Sequence, residues 1–214
     1  MKNPRKMQNV ARDLVEAEDG TTLVEFAIVM PIFLLILFAL IDFGRLGYEY
    51  VMAQKAMQMA ARIAIVRVPA CANVPVVNTP GAVPAGTSAP HYGTNCSTAA
   101  TVCASPATVA CDGSSANATS AEIWAAISPL MPSGSTQANL RFSYAFNSDF
   151  GFLGGPYVPM VTVQLQNLNF QFVSPLGALA ALAGAVGGGL PQTLVFPTMS
   201  VSLPGEDLAA GVDG

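Results

Sequence analysis

An unbroken apolar run from Phe26 to Ile41 constrains this chain more than any other feature of its sequence. It contains no charged residue, and its length of about 16 residues corresponds to about 24 Å of helix, against about 30 Å of hydrocarbon in a bilayer. Leu23 and Val24 precede it and further apolar residues follow, which extends the usable length to about 20 residues. We therefore predict one transmembrane helix. The alternative is a buried core helix, but no comparably apolar helix exists elsewhere in the chain to pack against it.

The distribution of charge supports an anchored, exported protein. Charged residues make up 10% of the chain, against about 25% in ordinary soluble domains. All lysines and arginines except Arg141 lie at or before Arg67. The remainder of the chain has no basic patch, so we expect no nucleic-acid partner. The bases of residues 1–19 slightly outnumber those just after the span, which favours a cytoplasmic N-terminus.

The N-terminal edge of the apolar run carries a specific arrangement of residues. Glu25 directly precedes the run, Phe26 begins it, and Gly20 and Thr21 lie a few residues earlier. A carboxylate at a membrane edge is costly unless it is paired, although a helix N-terminus reduces that cost. Glu25 is therefore either a simple acidic helix start or part of a processing signal of the prepilin type.

The order of these residues resembles the TadE-like family, the minor pseudopilins of the tight-adherence (Tad/Flp) pilus system. The matching parts are Gly20, the stretch 24–27, Pro31 and the stretch 41–45. The resemblance implies cleavage by a prepilin peptidase between Gly20 and Thr21. It also implies a single-pass protein of the bacterial inner membrane, with a cytoplasmic N-terminus and a periplasmic or extracellular C-terminal domain. The implied partners are the prepilin peptidase, the inner-membrane pilus assembly platform, other pseudopilins, the major pilin and the lipid bilayer.

Cleavage at this position would create a new ammonium group at Thr21. In a bundle of such helices, Glu25 of one subunit could pair with the Thr21 ammonium of its neighbour. Because an unpaired carboxylate is strongly disfavoured at low dielectric, this contact would select one axial register.

The helix becomes amphipathic beyond the apolar run. We expect it to extend from Thr21 to about Arg67, with Pro31 bending it and Pro69 ending it. One predicted face has residues at alternating steps of three and four, which form a packing seam. It packs against a partner helix or against the chain's own C-terminal domain, and the sequence leaves both open. The seam comprises Phe43, Leu46, Tyr50, Ala53, Met57, Ala60 and Ala64.

Residues 69–120 are rich in proline, glycine and small residues, and we expect loops with at most short strands. The four cysteines predict two disulfides in an exported protein, with all three pairings open. A zinc site that includes His91 is disfavoured because no C-x-x-C pair is present, and we expect no metal. The cysteines are Cys71, Cys96, Cys103 and Cys111.

Ser120–Met131 predicts a short helix capped by Ser120, with Ile123, Trp124 and Ile127 on one face. Apolar alternation then predicts half-buried strands. A change of parity at Gln166–Asn167 predicts a bulge or bend. The alternating segments are 140–146, 161–165, 168–172 and 199–203.

The segment from Pro175 to Pro191 is apolar and rich in glycine. We expect it to form a loop that touches the membrane surface or a neighbouring subunit, rather than a second span.

Together these patterns predict an α+β protein in which a long, pilin-like transmembrane and amphipathic helix precedes a loop-rich region and a small antiparallel sheet. The expected divisions are a cytoplasmic leader (1–20), the TadE-like helix (21–68), the cysteine-containing region (69–135) and a β-rich ectodomain (136–214).

The residues offer little for catalysis, since the region after the helix has one histidine, few carboxylates and no nucleophile placed beside a base. We expect no enzymatic activity and no cofactor. The predicted function is that of a membrane-anchored minor pseudopilin that assembles or primes a Tad/Flp-type pilus. The alternative is a single-span envelope protein whose ectodomain binds a surface or envelope ligand and has no pilus role.

Overall fold

The computed structural model describes residues 18–175, 193–205 and 208. It confirms the predicted α+β class, with a long N-terminal helix, a second short helix and small antiparallel sheets. The proposed leader 1–20 lies outside the described residues up to residue 17, and so does all but Pro175 of the apolar segment 175–191.

Helix α1 comprises Glu18–Ala64, and Pro31 lies inside it without dividing it. The predicted end near Arg67 is wrong, because regular helix stops at Ala64. The backbone N–H of Val66 donates to the carbonyl of Ile63 at 3.2 Å, so the chain tightens just after the helix. Pro69 disfavours helical backbone at Val68, so the helix does not resume beyond this turn.

The main sheet has four antiparallel strands in the order β1-β2-β3-β6. Its register places Phe142 opposite Val163, and Val163 opposite Val201. Side chains alternate between buried and half-exposed along β2 and β3, as the sequence predicted. The strands are β1 (Val109–Asp112), β2 (Leu140–Ala145), β3 (Met160–Leu165) and β6 (Met199–Pro204).

A second sheet pairs β4 (Asn169–Gln171) with β5 (Thr193–Val195). The predicted change of direction after β3 is a bend, because Asn167 has a positive φ of 54°. Asn139 stabilises this bend, since its side-chain amide donates to the carbonyls of Gln166 and Asn167 at 3.1 and 2.9 Å.

Helix α2 comprises Ala118–Ile127 and begins earlier than predicted. Its cap is Asn117, whose side chain accepts a hydrogen bond from the Ser120 backbone N–H, so the predicted cap at Ser120 is wrong. Ser120 is buried, and its hydroxyl oxygen instead accepts from the Ser114 backbone and the Gln137 side chain. Asparagine and serine are equally good caps, so the sequence alone did not decide between them.

Two disulfides form from the four cysteines, as predicted. Cys71 bonds to Cys111, which links the segment after α1 to strand β1. Cys96 bonds to Cys103 and forms a small cluster of buried side chains with Val102 and Leu153.

By its contacts the chain divides into two units. Of the described residues, the first unit contains 18–47, 171–175 and 193–194, and the second contains 48–170, 195–205 and 208. In the second unit, the end of α1 and one face of the main sheet supply most of the fully buried side chains. The sheet's fully buried members are Leu140, Phe142, Tyr144, Val161, Val163 and Leu165.

Candidate membrane anchor and processing site

The four predicted processing residues lie together in the first turns of α1. Gly20, Thr21, Glu25 and Phe26 are all exposed. Among the described residues, no heavy atom other than those of its chain neighbours and its own helix backbone lies within 4 Å of the position that a Gly20 Cβ would occupy. Glu25 follows Thr21 by four positions, so the two share one face of the helix. The carboxylate therefore lies on the same side as the amine that cleavage before Thr21 would create.

The apolar run forms an exposed surface on α1. Among the described residues, one helix is long and apolar enough to cross a membrane, by length and composition. No residue of its most apolar window is buried in the chain. An apolar surface of this extent is unfavourable in water and suits a lipid environment. The large exposed side chains are Leu23, Val24, Phe26, Ile28, Val29, Ile32, Phe33, Ile36, Leu37, Leu40 and Ile41.

Asp42 ends this apolar surface and is only 2% exposed. Its carboxylate oxygens accept the backbone N–H groups of Val173 at 3.3 Å and Ser174 at 3.2 Å. The Ser174 hydroxyl also donates to Asp42. A buried carboxylate is tolerated when its oxygens are hydrogen-bonded, and these three donors meet that requirement.

Two neighbours of Asp42 contact the same short segment. An Arg45 guanidinium nitrogen donates to the Gln171 carbonyl at 2.9 Å, and another lies 4.0 Å from the Asp42 carboxylate. The Phe43 ring meets the Phe172 ring edge-on at a centroid distance of 5.9 Å. We call this group the exit cluster: Asp42, Phe43, Arg45 and residues 171–174.

Sequence reasoning did not predict the exit cluster. In the sequence, Asp42 directly follows the apolar run, and both Asp42 and Arg45 belong to the stretch that resembles the family. The sequence signal for a cluster at this position is an acidic residue next to a membrane span, because such a residue requires polar partners. The partners themselves follow more than a hundred residues later, so no local pattern identifies them.

The predicted packing seam divides between different environments. Four of its positions are fully buried, namely Ala53, Met57, Ala60 and Ala64. Tyr50 lies 6.4 Å from Phe196, between ring centroids, and remains partly exposed. The two N-terminal positions differ from these, because Leu46 is half-buried and Phe43 belongs to the exit cluster. Ala56 and Ala61 are also fully buried, although the seam omitted them.

Two polar contacts stabilise the chain just beyond α1. The Tyr144 hydroxyl accepts the Ala70 backbone N–H at 2.8 Å, and burial raises the pKa of Tyr144. Arg67 and Glu122 form an exposed ion pair with N–O distances of 3.0 to 3.2 Å. Hydrogen bonds from Arg67 lower the pKa of Glu122.

The remaining candidates lie apart from the anchor. His91 is exposed on a turn, and Trp124 is half-buried on α2. The four cysteine sulfurs are engaged in the two disulfides. In the parts of the chain that the structure describes, no group of three histidine, cysteine or acidic residues could hold a metal ion.

A long, exposed apolar helix joined to a disulfide-bonded α+β region fits a single-pass membrane protein. Residues 20–62 match the model of the TadE-like protein family, so the chain carries a TadE-like domain and the resemblance found in the sequence is confirmed. A TadE-like domain indicates a protein associated with Tad pili. The searches of curated proteins and of solved structures found no match.

Proposed function

We propose that this protein is a membrane-anchored minor pseudopilin that assembles or primes a Tad/Flp-type pilus, and that a prepilin peptidase cleaves it after Gly20. One observation carries the proposal. The TadE-like match begins at Gly20, which is also the residue that the predicted processing signal places before the cleaved bond. Gly20 and Thr21 are both exposed, so no part of the described chain covers the bond between them from the peptidase.

Cleavage supplies a reason for the position of Glu25. It leaves an ammonium on Thr21, on the same face of α1 as the Glu25 carboxylate. In an assembly, Glu25 pairs with the ammonium of a neighbouring subunit, and that pairing selects one axial register because a misaligned carboxylate would remain unpaired in lipid.

The division of α1 assigns different partners to its two ends. The exposed apolar side chains before Asp42 contact lipid and the spans of neighbouring subunits. The fully buried alanines after residue 52 belong to the core of their own unit, which supports the own-domain alternative for that part of the seam. Other pseudopilins and the major pilin therefore meet the far end of α1 through exposed residues such as Tyr48 and Val51.

The proposed location is the inner membrane of a bacterium, with the N-terminus in the cytoplasm and the domain after α1 outside it. The proposed partners are the prepilin peptidase, the assembly platform, other pseudopilins and the major pilin. The chain acts as a structural subunit and as a peptidase substrate, not as an enzyme.

Replacing Gly20 tests the proposed processing. Gly20→Phe places a bulky side chain beside the bond to be cleaved, while the space around Gly20 leaves the helix undisturbed. We expect the variant to keep its full precursor size on a gel and to lose pilus output. Gly47→Phe is the matched control for precursor size, because Gly47 lies in the same helix with equally open surroundings but far from the bond to be cleaved. The proposal is wrong if Gly20→Phe is trimmed like the wild type and pili are normal.

Replacing Glu25 separates processing from assembly. We expect Glu25→Gln to be inserted in the membrane and cleaved normally but to lose pilus output, since the amide cannot pair with an ammonium as a carboxylate does. Glu25→Asp keeps the charge and should restore part of that output. If neither variant changes pilus output, while the ectodomain retains a function in cells without pilus genes, the envelope-ligand alternative is correct.

A further inference from the structure

The end of the membrane span carries an apolar surface that the span itself does not explain. Val173 is 78% exposed although it is a large apolar residue, and Phe43 is 57% exposed. Both belong to the exit cluster, and both lie in the same unit as the exposed residues Leu40 and Ile41 at the end of the apolar run. Phe43 follows Ile41 by two residues and its ring contacts Phe172, so exposed apolar side chains extend from the end of the span onto a segment that is distant in sequence.

Polar contacts hold this segment in place. Asp42 accepts two backbone N–H groups and one hydroxyl from Val173 and Ser174, and Arg45 binds the Gln171 carbonyl. The carboxylate and the guanidinium lie 4.0 Å apart, so their charges offset each other. Satisfied polar groups with no net charge are what a membrane boundary tolerates.

We propose that the exit cluster holds Phe43, Phe172 and Val173 in the headgroup region of a lipid bilayer, as a second membrane contact beside the span. Lipid is the occupant because the surface is continuous with the end of the span. The sequence from 171 to 205 contains no charged residue, which favours an apolar boundary over an ionic protein partner. Aromatic and aliphatic side chains at this depth are typical of interfacial anchors.

The contact fixes the rotation of the span about its axis as well as its depth. A single helix in lipid can rotate and tilt, because its apolar surface is similar on all sides. A lateral anchor on the side of Asp42 removes that freedom. Asp42 and Ser174 are positioning residues for this contact, since they hold the segment and do not themselves contact lipid.

Fluorescence quenching by lipids tests the contact. Val173→Trp is made in the full chain, in which Trp124 is the only native tryptophan. The protein is reconstituted in phosphatidylethanolamine–phosphatidylglycerol vesicles, with or without lipids brominated near the headgroup end of the acyl chains. The wild type gives the Trp124 baseline. We expect brominated lipid to reduce the added emission by about twofold, because an interfacial tryptophan lies close to the bromines.

Variants of the positioning residues test whether the exit cluster is responsible for the contact between residue 173 and lipid. Adding Asp42→Asn places an amide nitrogen where one oxygen accepts, and adding Ser174→Ala removes only the hydroxyl donor. We expect both variants to reduce the quenching of the added emission, and Asp42→Asn to reduce it more than Ser174→Ala. The protein should stay in the vesicles in both cases. The inference is overturned if Val173→Trp is not quenched above the baseline, or if its emission changes only with protein concentration, which would indicate a second copy as the occupant. This assay contains no peptidase and no pilus, so it can fail while the proposed function stands, and the reverse also holds.

Discussion

Both ends of helix α1 carry apolar side chains, yet these side chains have opposite environments. Between residues 23 and 41 the side chains are mostly large and exposed, whereas from Ala53 to Ala64 the inward side chains are mostly alanine and fully buried. Hydropathy separates the two ends, because the first is apolar on all sides while the second has exposed polar residues such as Gln54, Lys55 and Arg62. The apolar side chains themselves also differ in size. Alanine allows other parts of a fold to approach a helix closely, while leucine, isoleucine and phenylalanine offer a large surface to lipid. One helix thus changes from membrane anchor to domain core.

The largest expected effect comes from a charge at the buried end. Ala60 has no exposed surface, so Ala60→Asp would bury an unpaired carboxylate. We expect a loss of about 3–5 kcal/mol in the free energy of unfolding, a large part of the usual margin of about 5–15 kcal/mol. Protease resistance and thermal unfolding of the protein in detergent would measure it. Met59→Asp is the control, because Met59 is adjacent but 42% exposed. If both variants unfold alike, the buried face is not where the structure places it.

The disulfides test how far the buried end depends on covalent links. Cys71–Cys111 spans 40 residues and Cys96–Cys103 spans 7. Loop-closure entropy predicts that removing the first destabilises the fold by about 4 kcal/mol and removing the second by about 2.4 kcal/mol. Paired Cys→Ala variants, compared by denaturant unfolding, should show that order. The reverse order would mean that the first link does not constrain the unfolded chain as the structure implies.

A charge introduced at the exposed end of α1 should impair membrane insertion rather than folding. Ile36 lies within the apolar run and is exposed, so Ile36→Asp places a carboxylate in lipid. We expect membrane insertion to become about 3–4 kcal/mol less favourable, because the cost of the aspartate adds to the lost contribution of the isoleucine. The disulfide-bonded unit should still resist protease, since Ile36 is not part of its core. Carbonate extraction of membranes measures the first effect. Normal insertion of the variant would contradict the lipid-facing assignment.

The smallest expected effect concerns the ion pair just beyond α1. Arg67 lowers the pKa of Glu122 below its ordinary value of 4.5. The pair therefore stabilises the fold above that pH, and the contribution is lost as the pH falls through the lowered pKa. Because both side chains are exposed, salt should weaken the effect. Melting temperatures of the wild type and Glu122→Gln should converge at low pH and differ slightly at neutral pH. A constant difference across pH would exclude the pair as its cause.

The sequence predicted the elements that have a regular pattern. The apolar run predicted the first part of α1, and two-residue alternation predicted β2, β3 and β6. The sequence does not predict strand β1, because Val109–Asp112 is short and lies in a segment without regular alternation of apolar and polar residues. It pairs with β2 and is linked to Cys71, so its position depends on contacts that are distant in the chain.

The same limit explains what was missed at the candidate site. The processing residues form one short motif, so their spacing identified them together. The exit cluster joins Asp42 to Ser174, and no residue near Asp42 in the sequence indicates that Ser174 is its partner. The disulfide pairing was open for the same reason, since four cysteines allow three pairings and only the folded sheet brings Cys71 and Cys111 together.

The proposed function depends on trimming of the chain at the start of α1, and the N-terminus of the protein taken from membranes reports that trimming. N-terminal sequencing, or intact mass, would be measured for protein from cells with the prepilin peptidase and from cells without it. We expect a chain that starts at Thr21 when the peptidase is present and one that keeps the residues before Thr21 when it is absent. If those residues remained in both strains, α1 would not be a processed anchor.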